Sequence, residues 1–376
     1  MNRRKLMTGL VIAGVLLLIT PLTLRLLGFG ATPGVAAQAD YFPVQDNETG
    51  KWGFVDAEGN ALTPAVFDWA GDFRHGRGLA QVMLGGKPVM GYIDATFKKE
   101  GDWAITPRFE LADVDDTAAR GFFDELAAAR HDDGVWGYID PAGEWAIEPR
   151  FAAHELMPEL QACGDFADGM AWFQEAEAVM SNVTDEHGQL VRDADGAIVQ
   201  EPTLRIRYGY INRKGDAVIH AQFQLAQDFG EGLAGVRYET SEGWGFIDRR
   251  GHRQISPQFE AVGRFAQGLC PAKLHGKWGY IDREGGWVIE PTFAEAREFE
   301  GDLAPARDVG GRWGYINPEG SFVIAPQFDD DPRPGMFNDA RPFDGGVARV
   351  MLEGKACYID TSGEVVWPRG VAASEQ

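Results

Sequence analysis

The sequence predicts an all-β repeat array: about eight units of three short strands in an open, curved stack, behind one hydrophobic N-terminal helix. A closed, propeller-like ring is the alternative arrangement. Three observations lead there. One phrase, clearest at Lys277-Trp278-Gly279-Tyr280-Ile281-Asp282, recurs around residues 52, 90, 136, 208, 244, 278, 313 and 356, most copies standing 34 to 46 residues apart. Self-similarity at that period means stacked supersecondary units. Within the phrase, Trp278, Tyr280 and Asp282 fall on one face and Gly279 and Ile281 on the other, the period-two alternation of a strand. Turn chemistry brackets each copy, as in Asp282-Arg283-Glu284-Gly285, where Asp caps local backbone donors and Gly takes φ > 0. Units of about 35 residues are short for blades of four strands, which favours the open stack.

The chain starts with Arg3-Arg4-Lys5 and an apolar run over residues 6–24, which as a helix spans ~28 Å, close to a bilayer core. Residues 1–30 read as a signal peptide or signal-anchor helix and 31–40 as a linker. Ala37-Gln38-Ala39 resembles a small-residue cleavage site but lies well beyond the apolar run, so cleavage and anchoring both stay open. The basic cluster keeps the N-terminus cytoplasmic in either case and sends the array outside, periplasmic or held at the inner membrane by this segment only.

The array fills residues 41–370, with a tail at 371–376. Each unit runs aromatic, spacers, Gly, Leu-Ala (strand a), then the Trp-Gly phrase (strand b), then Val-Ile-x-Pro-x-Phe (strand c). Trp52, Trp136, Trp244, Trp278 and Trp313 open strand b, and a residue that every unit demands reads as packing. Gly53, Gly91, Gly137, Gly209, Gly245, Gly279 and Gly314 follow, without side chains, which suits the close approach of a neighbouring ring or backbone. Pro64, Pro107, Pro149, Pro257, Pro291, Pro326 and Pro368 are expected to end strand c by removing a ladder donor. Residues 123–130 look helical by propensity, yet they occupy the slot of Phe299 to Arg307, directly before a Trp-Gly strand, so 126–130 is read as strand a.

These residues carry a resemblance to the bacterial WG-repeat (KWG-repeat) proteins over essentially residues 41–370. The departures are Met90-Gly91, Tyr208-Gly209 and Ala356-Cys357 where Trp-Gly is the family phrase. The resemblance implies a β repeat array without assigned chemistry, and it brings no catalytic residue to this chain.

One place breaks the repeat. Met170 and Tyr208 stand 38 residues apart where Leu303 and Trp313 stand 10 apart, an excess of 28. The extra segment, about 174–205, holds two Asp-x-x-Gly turns flanking Gln189-Leu190-Val191 and reads as a projecting hairpin. Insertions in repeat proteins collect on the binding face, so Asp185, His187, Leu190, Asp193 and Asp195 are candidate partner contacts. The three carboxylates do not complete a calcium loop.

Enzyme chemistry finds no foothold. The sequence lacks Gly-x-Ser-x-Gly, Cys-x-x-Cys and His-Glu-x-x-His, and its seven histidines show no metal-ligand spacing. Gly230-Glu231-Gly232-Leu233-Ala234-Gly235 matches a dinucleotide fingerprint only formally, since it neither follows a βαβ strand nor opens a helix. The turn acids Asp56, Asp94, Asp140, Asp248, Asp282 and Asp360 are replaced by Asn212 and Asn317 in two units, and Asn caps turns but moves no protons. Three cysteines form no disulfide framework, and Cys270 and Cys357 sit in small-residue slots, as buried thiols. A net charge of −22 repels phosphate backbones and excludes nucleic acid as a partner. The expected function is an exported, envelope-associated, non-catalytic module, needing no cofactor or metal, that binds or scaffolds protein or peptide partners. A cell-wall glycan-binding or glycan-cleaving protein is the alternative.

Overall fold

The computed structural model describes residues 41–46, 48–99, 101–111, 118–152, 162–183, 189–193, 195–330 and 340–368. The expected N-terminal segment, the linker, the tail, and Asp185 and His187 of the insert lie outside them. The compact unit over residues 39–376 contains 27 strands in eight antiparallel sheets, with no helix among the described residues. The units span 41–67, 69–110, 118–151, 162–223, 225–259, 261–293, 295–328 and 340–367.

The three-strand expectation is corrected by a fourth, leading strand. In the sixth unit Ala261–Val262 pairs with strand a (Cys270–Leu274), which pairs with strand b (Lys277–Ile281) and then strand c (Trp287–Phe293). The second, fifth and seventh sheets are four-stranded in the same order. In the third, fourth and eighth units the leading segment joins through the bridges Ala119↔Ala129 and Cys163↔Phe173 and the hydrogen bond from Arg341 N–H to Arg349 O. The sequence hides this strand because only a few residues of it pair, too few for alternation to show. Its mark is a small residue three places before the aromatic, as at Ala70, Ala226, Val262 and Ala296.

The Trp-Gly and Pro-x-Phe signatures turn out to be one device. In the third unit Tyr138 pairs with Ile147 and Trp136 with Phe151, so Glu148, Pro149 and Arg150 bulge over the single residue Gly137. A Cβ on Gly137 would stand 2.6 Å from the Ile147 carbonyl oxygen and 2.8 Å from Pro149 N. Gly91, Gly209, Gly245, Gly279 and Gly314 meet the same backbone obstruction. Pro107, Pro149, Pro257, Pro291 and Pro326 therefore lie inside strand c, at a bulge that asks for no ladder donor, and do not end it, whereas Pro368 directly follows the end of Val365–Trp367. Residues Ala127–Arg130 form strand a, as the repeat alignment requires, against local helix propensity.

Successive units are stapled by strand b tyrosines. Tyr92, Tyr138, Tyr210, Tyr280 and Tyr315 donate to the carbonyls of Arg120, Gly164, Gln227, Arg297 and Arg341 on the next leading segment, at 2.6 to 2.8 Å. The fifth unit has Phe246 instead, and there the Cys270 thiol donates to the corresponding carbonyl, Gly263 O, at 3.3 Å. Tyr358 of the eighth unit donates to Pro43 of the first at 2.8 Å. That bond closes a ring.

The open stack is therefore corrected to a propeller-like ring. An open stack of eight sheets has seven junctions, whereas eight apolar clusters are buried here, one per junction. The eighth joins Phe42, Val44 and Val55 to Val347 and Tyr358. Arg341–Asp72 and Arg74–Asp344 ion pairs, both at 3.1 Å, add a polar clasp between the eighth and second units.

Candidate functional site

The leading segments bring together charged residues that stand 34 or more positions apart in sequence. The place before each leading aromatic holds Asp72, Asp165, Asp228, Arg264 and Glu298 in five of the units, a slot that changes charge beside an aromatic that does not. Asp165, Asp228, Arg264 and Glu298 line a cavity of about 530 Å³, together with Trp172 and Trp278. A second cavity of about 230 Å³ is lined by Asp72, Arg74, Glu300 and Arg341 and shares Phe123, Arg264 and Glu298 with the first.

Local backbone irregularity aims these groups. Between the pairs Ala226↔Val236 and Phe229↔Ala234, Gln227 and Asp228 bulge against the single residue Gly235. A Cβ on Gly235 would come within 3.0 Å of Gln227 Oε1, so the glycine makes room for that amide. Gln227 Nε2 donates to Val262 O at 2.7 Å. Gln227 Oε1 and Asp228 Oδ1 are buried without a hydrogen-bond partner among the described residues. Although part of Asp228 faces the cavity, burial pushes its carboxyl up to about 7; the Asp165 charge adds to this, and Arg264, Arg120 and the Trp172 indole oppose it. Glu300 is also raised, by burial and then by Asp344. Arg120 pairs at 3.3 Å with Asp165, one of the lining acids, and stacks 4.9 Å from the ring centre of Trp136.

The insert is a hairpin, as expected. Met170–Asn182 and Gln200–Asn212 pair without a slip from Met170↔Asn212 to Asn182↔Gln200. Arg205 and Arg207 pair with Glu177 and Glu239 along it. At the tip Asp193 Oδ1 accepts the N–H groups of Asp195 and Ala197, so this carboxylate is a turn cap. Asp195 is exposed, and Leu190 is exposed alongside Met180 and Ile198. Trp172, near the hairpin's base, lines the larger cavity; Leu190, Asp193 and Asp195 do not.

The other candidate residues serve the frame. Asp140, Asp248, Asp282 and Asp360 each accept N–H groups two and four residues on, and Asn212 does the same. Trp136 and Trp313 are buried, and Trp52, Trp244 and Trp278 are half-buried against apolar clusters. Cys163, Cys270 and Cys357 are buried and unbridged, and burial pushes the thiols of Cys163 and Cys357 up to about 11. Reading for motifs missed the leading-segment charges because none forms a local pattern. The readable signal is the single reversal of sign, at Arg264, in a slot that is acidic in four other units.

A family model described as "WG containing repeat" matches residues 52–87, 136–153, 208–239, 244–278, 278–312, 313–330 and 334–355, just over half of the chain. The chain belongs to the WG-repeat family. Six of the seven stretches open at strand b of the first, third, fourth, fifth, sixth and seventh units and the last falls in the eighth, while the second unit, with Met90-Gly91 in place of Trp-Gly, opens none; seven stretches thus accompany eight sheets. No curated protein matches this WG-repeat chain. Solved structures similar to it include BamB from Moraxella catarrhalis, 11% identical over 81% of this chain and 86% of that one, with a TM-score of 0.42. Apo AztD from Citrobacter koseri is 13% identical over 87% and 94%, with a TM-score of 0.47. YCF48 bound to D1 peptide is 10% identical over 74% and 87%, with a TM-score of 0.37. At these scores they assign nothing to this chain beyond what its own sheets display.

Proposed function

We propose that this WG-repeat protein is a non-catalytic binding and scaffolding module of the cell envelope, which holds a protein or peptide partner at its central cavity. One observation carries the reading. The slots that build the frame keep small or apolar residues with few exceptions, while the slot that faces the cavity holds Asp165, Asp228, Arg264 and Glu298 around about 530 Å³ of open space. A conserved scaffold with variable lining is how one architecture is given a particular ligand. The hairpin over residues 170–212 supplies a second contact surface beside it, with an exposed apolar tip. The basic cluster and apolar run at the N-terminus support export.

The test compares the full chain with an Arg264→Gln/Glu298→Gln double variant in affinity purification from the envelope fraction. A defined protein partner retained by the parent chain and lost from an equally stable variant is expected. Equal retention would place the binding face elsewhere, and release of muropeptides by the purified chain would overturn the non-catalytic reading.

A further inference from the structure

The third unit contains a complete cation seat. Arg120, two places before its leading aromatic, stacks 4.9 Å from the ring centre of Trp136 in strand b of the same unit and pairs at 3.3 Å with Asp165, which precedes the leading aromatic of the next unit. The seventh unit repeats half of this, with Arg297 5.5 Å from the ring centre of Trp313 and Pro342 where the next unit's acid would be.

The sixth unit has the aromatic and the acid but no cation. Trp278 is the counterpart of Trp136 and Glu298 the counterpart of Asp165, and both line the larger cavity. The residue at the Arg120 position is Gly263, which lines it too. Glu298 Oε1 accepts the backbone N–H of Arg264 at 3.0 Å, and no cationic side chain lies within ion-pair distance of Glu298 among the described residues. Arg264 and Arg297 line the same cavity without pairing with Glu298, and position 263 cannot carry an arginine. A Cβ on Gly263 would stand 2.6 Å from Pro271 Cγ and 2.7 Å from Glu298 Oε1. Whatever fills the seat comes through the cavity.

We infer that the cavity lined by Trp278 and Glu298 receives a guanidinium group from outside the chain, an arginine side chain presented by a peptide, as the counterpart of Arg120 in the third unit. A guanidinium suits it because its plane stacks on an indole while its N–H fork meets a carboxylate, which an ammonium does less well. The buried acceptors Gln227 Oε1 and Asp228 Oδ1 in the wall of the same cavity add to its preference for a donor-rich ligand. The inference rests on the binding-module reading and names the chemistry of its site.

The experiment is calorimetric titration of the full chain with N-acetyl-arginine methylamide, its citrulline counterpart, which keeps the shape and loses the charge, and free arginine. The arginine amide is expected to bind one per chain, at least tenfold more tightly than the citrulline amide and no more weakly than free arginine. Glu298→Gln is expected to weaken it tenfold or more with an unchanged thermal midpoint. Arg120→Ala, which vacates the seat in the third unit, is expected to raise the stoichiometry to two. No binding to the parent chain, equal binding of the citrulline amide, or undiminished binding to a folded Glu298→Gln variant would each overturn the inference. A clear preference for free arginine would overturn the peptide source. If an envelope partner needs Arg264 and Glu298 while the parent chain ignores the arginine amide, the inference falls and the module stands. If the amide binds as expected while partner capture is indifferent to those residues, the partner's binding face lies elsewhere and the arginine seat stands.

Discussion

Replacing Tyr358 by Phe removes one oxygen atom from the point where the ring closes. The hydroxyl donates at 2.8 Å to the carbonyl of Pro43, both residues are buried, and the first strand, Tyr41–Gln45, pairs only with Trp52–Asp56 among the described strands. Pro43 carries no N–H, so its carbonyl is the hydrogen-bonding group it has. Loss of the donor leaves that carbonyl buried and unsatisfied, a cost of about 1 to 3 kcal/mol. Phe42→Ala attacks the same junction by removing a buried ring whose centre lies 5.5 Å from that of Tyr358, at about 3 to 5 kcal/mol. Burial pushes the Tyr358 phenol up, so the bond persists throughout the neutral pH range. Urea unfolding gives the cost, and hydrogen exchange over residues 41–45 locates it. Tyr280→Phe, an internal staple of the same geometry, is expected to cost a similar amount without selectively exposing the first strand. If Tyr358→Phe is neutral and leaves residues 41–45 as protected as before, while Tyr280→Phe costs its share, closure does not depend on this bond and the argument from staples is wrong.

Other expectations follow from the same geometry. Gly279→Ala drives a methyl group into the Ile289 carbonyl oxygen, backbone that must move, and is expected to destabilise by about 1 to 3 kcal/mol in urea. Trp313→Ala empties a fully buried slot and is expected to cost about 3 to 5 kcal/mol, more than the same change at half-buried Trp278; equal losses would refute the packing assignment. Because the Asp228 carboxyl is raised to about 7 in the folded protein, the folded state holds a proton that the unfolded chain has released, and stability falls as pH rises from about 4 through 7. Asp228→Asn is expected to remove that slope and to be the more stable protein at pH 8, with the two melting curves converging at pH 4; parallel curves would rule it out. Replacing residues 175–201 by Asp308-Val309-Gly310-Gly311 is expected to leave the thermal midpoint within a few degrees, since loop-closure entropy changes slowly with length, while weakening partner capture.

The candidate site was harder to read than the frame for a reason visible in Glu298. In sequence it is one acid in an acidic chain. Its relation to Trp278 and Gly263 exists only once the leading segments converge, and those segments pair over as few as two residues. The insert was legible because it interrupts a period, and its strands appear where the excess residues lie. The glycines at strand b were legible as close approaches, but that the approaching group is the bulged backbone around Pro149 or Pro291, and not a ring, needed the register.

The sequence by itself determined the strand phrases, the number of units, strand a at Ala127–Arg130 and the turn-capping role of the acids, because each depends on contacts within some 40 residues and was written several times over. Only the tertiary structure decided that the array closes, that a leading strand lines the cavity, and which charges meet there. These rest on contacts between residues as distant as Pro43 and Tyr358, which no local period encodes. A repeat records how one unit meets the next; the accumulated turn of eight such meetings, which brings the last sheet back to the first, is a property of the whole ring.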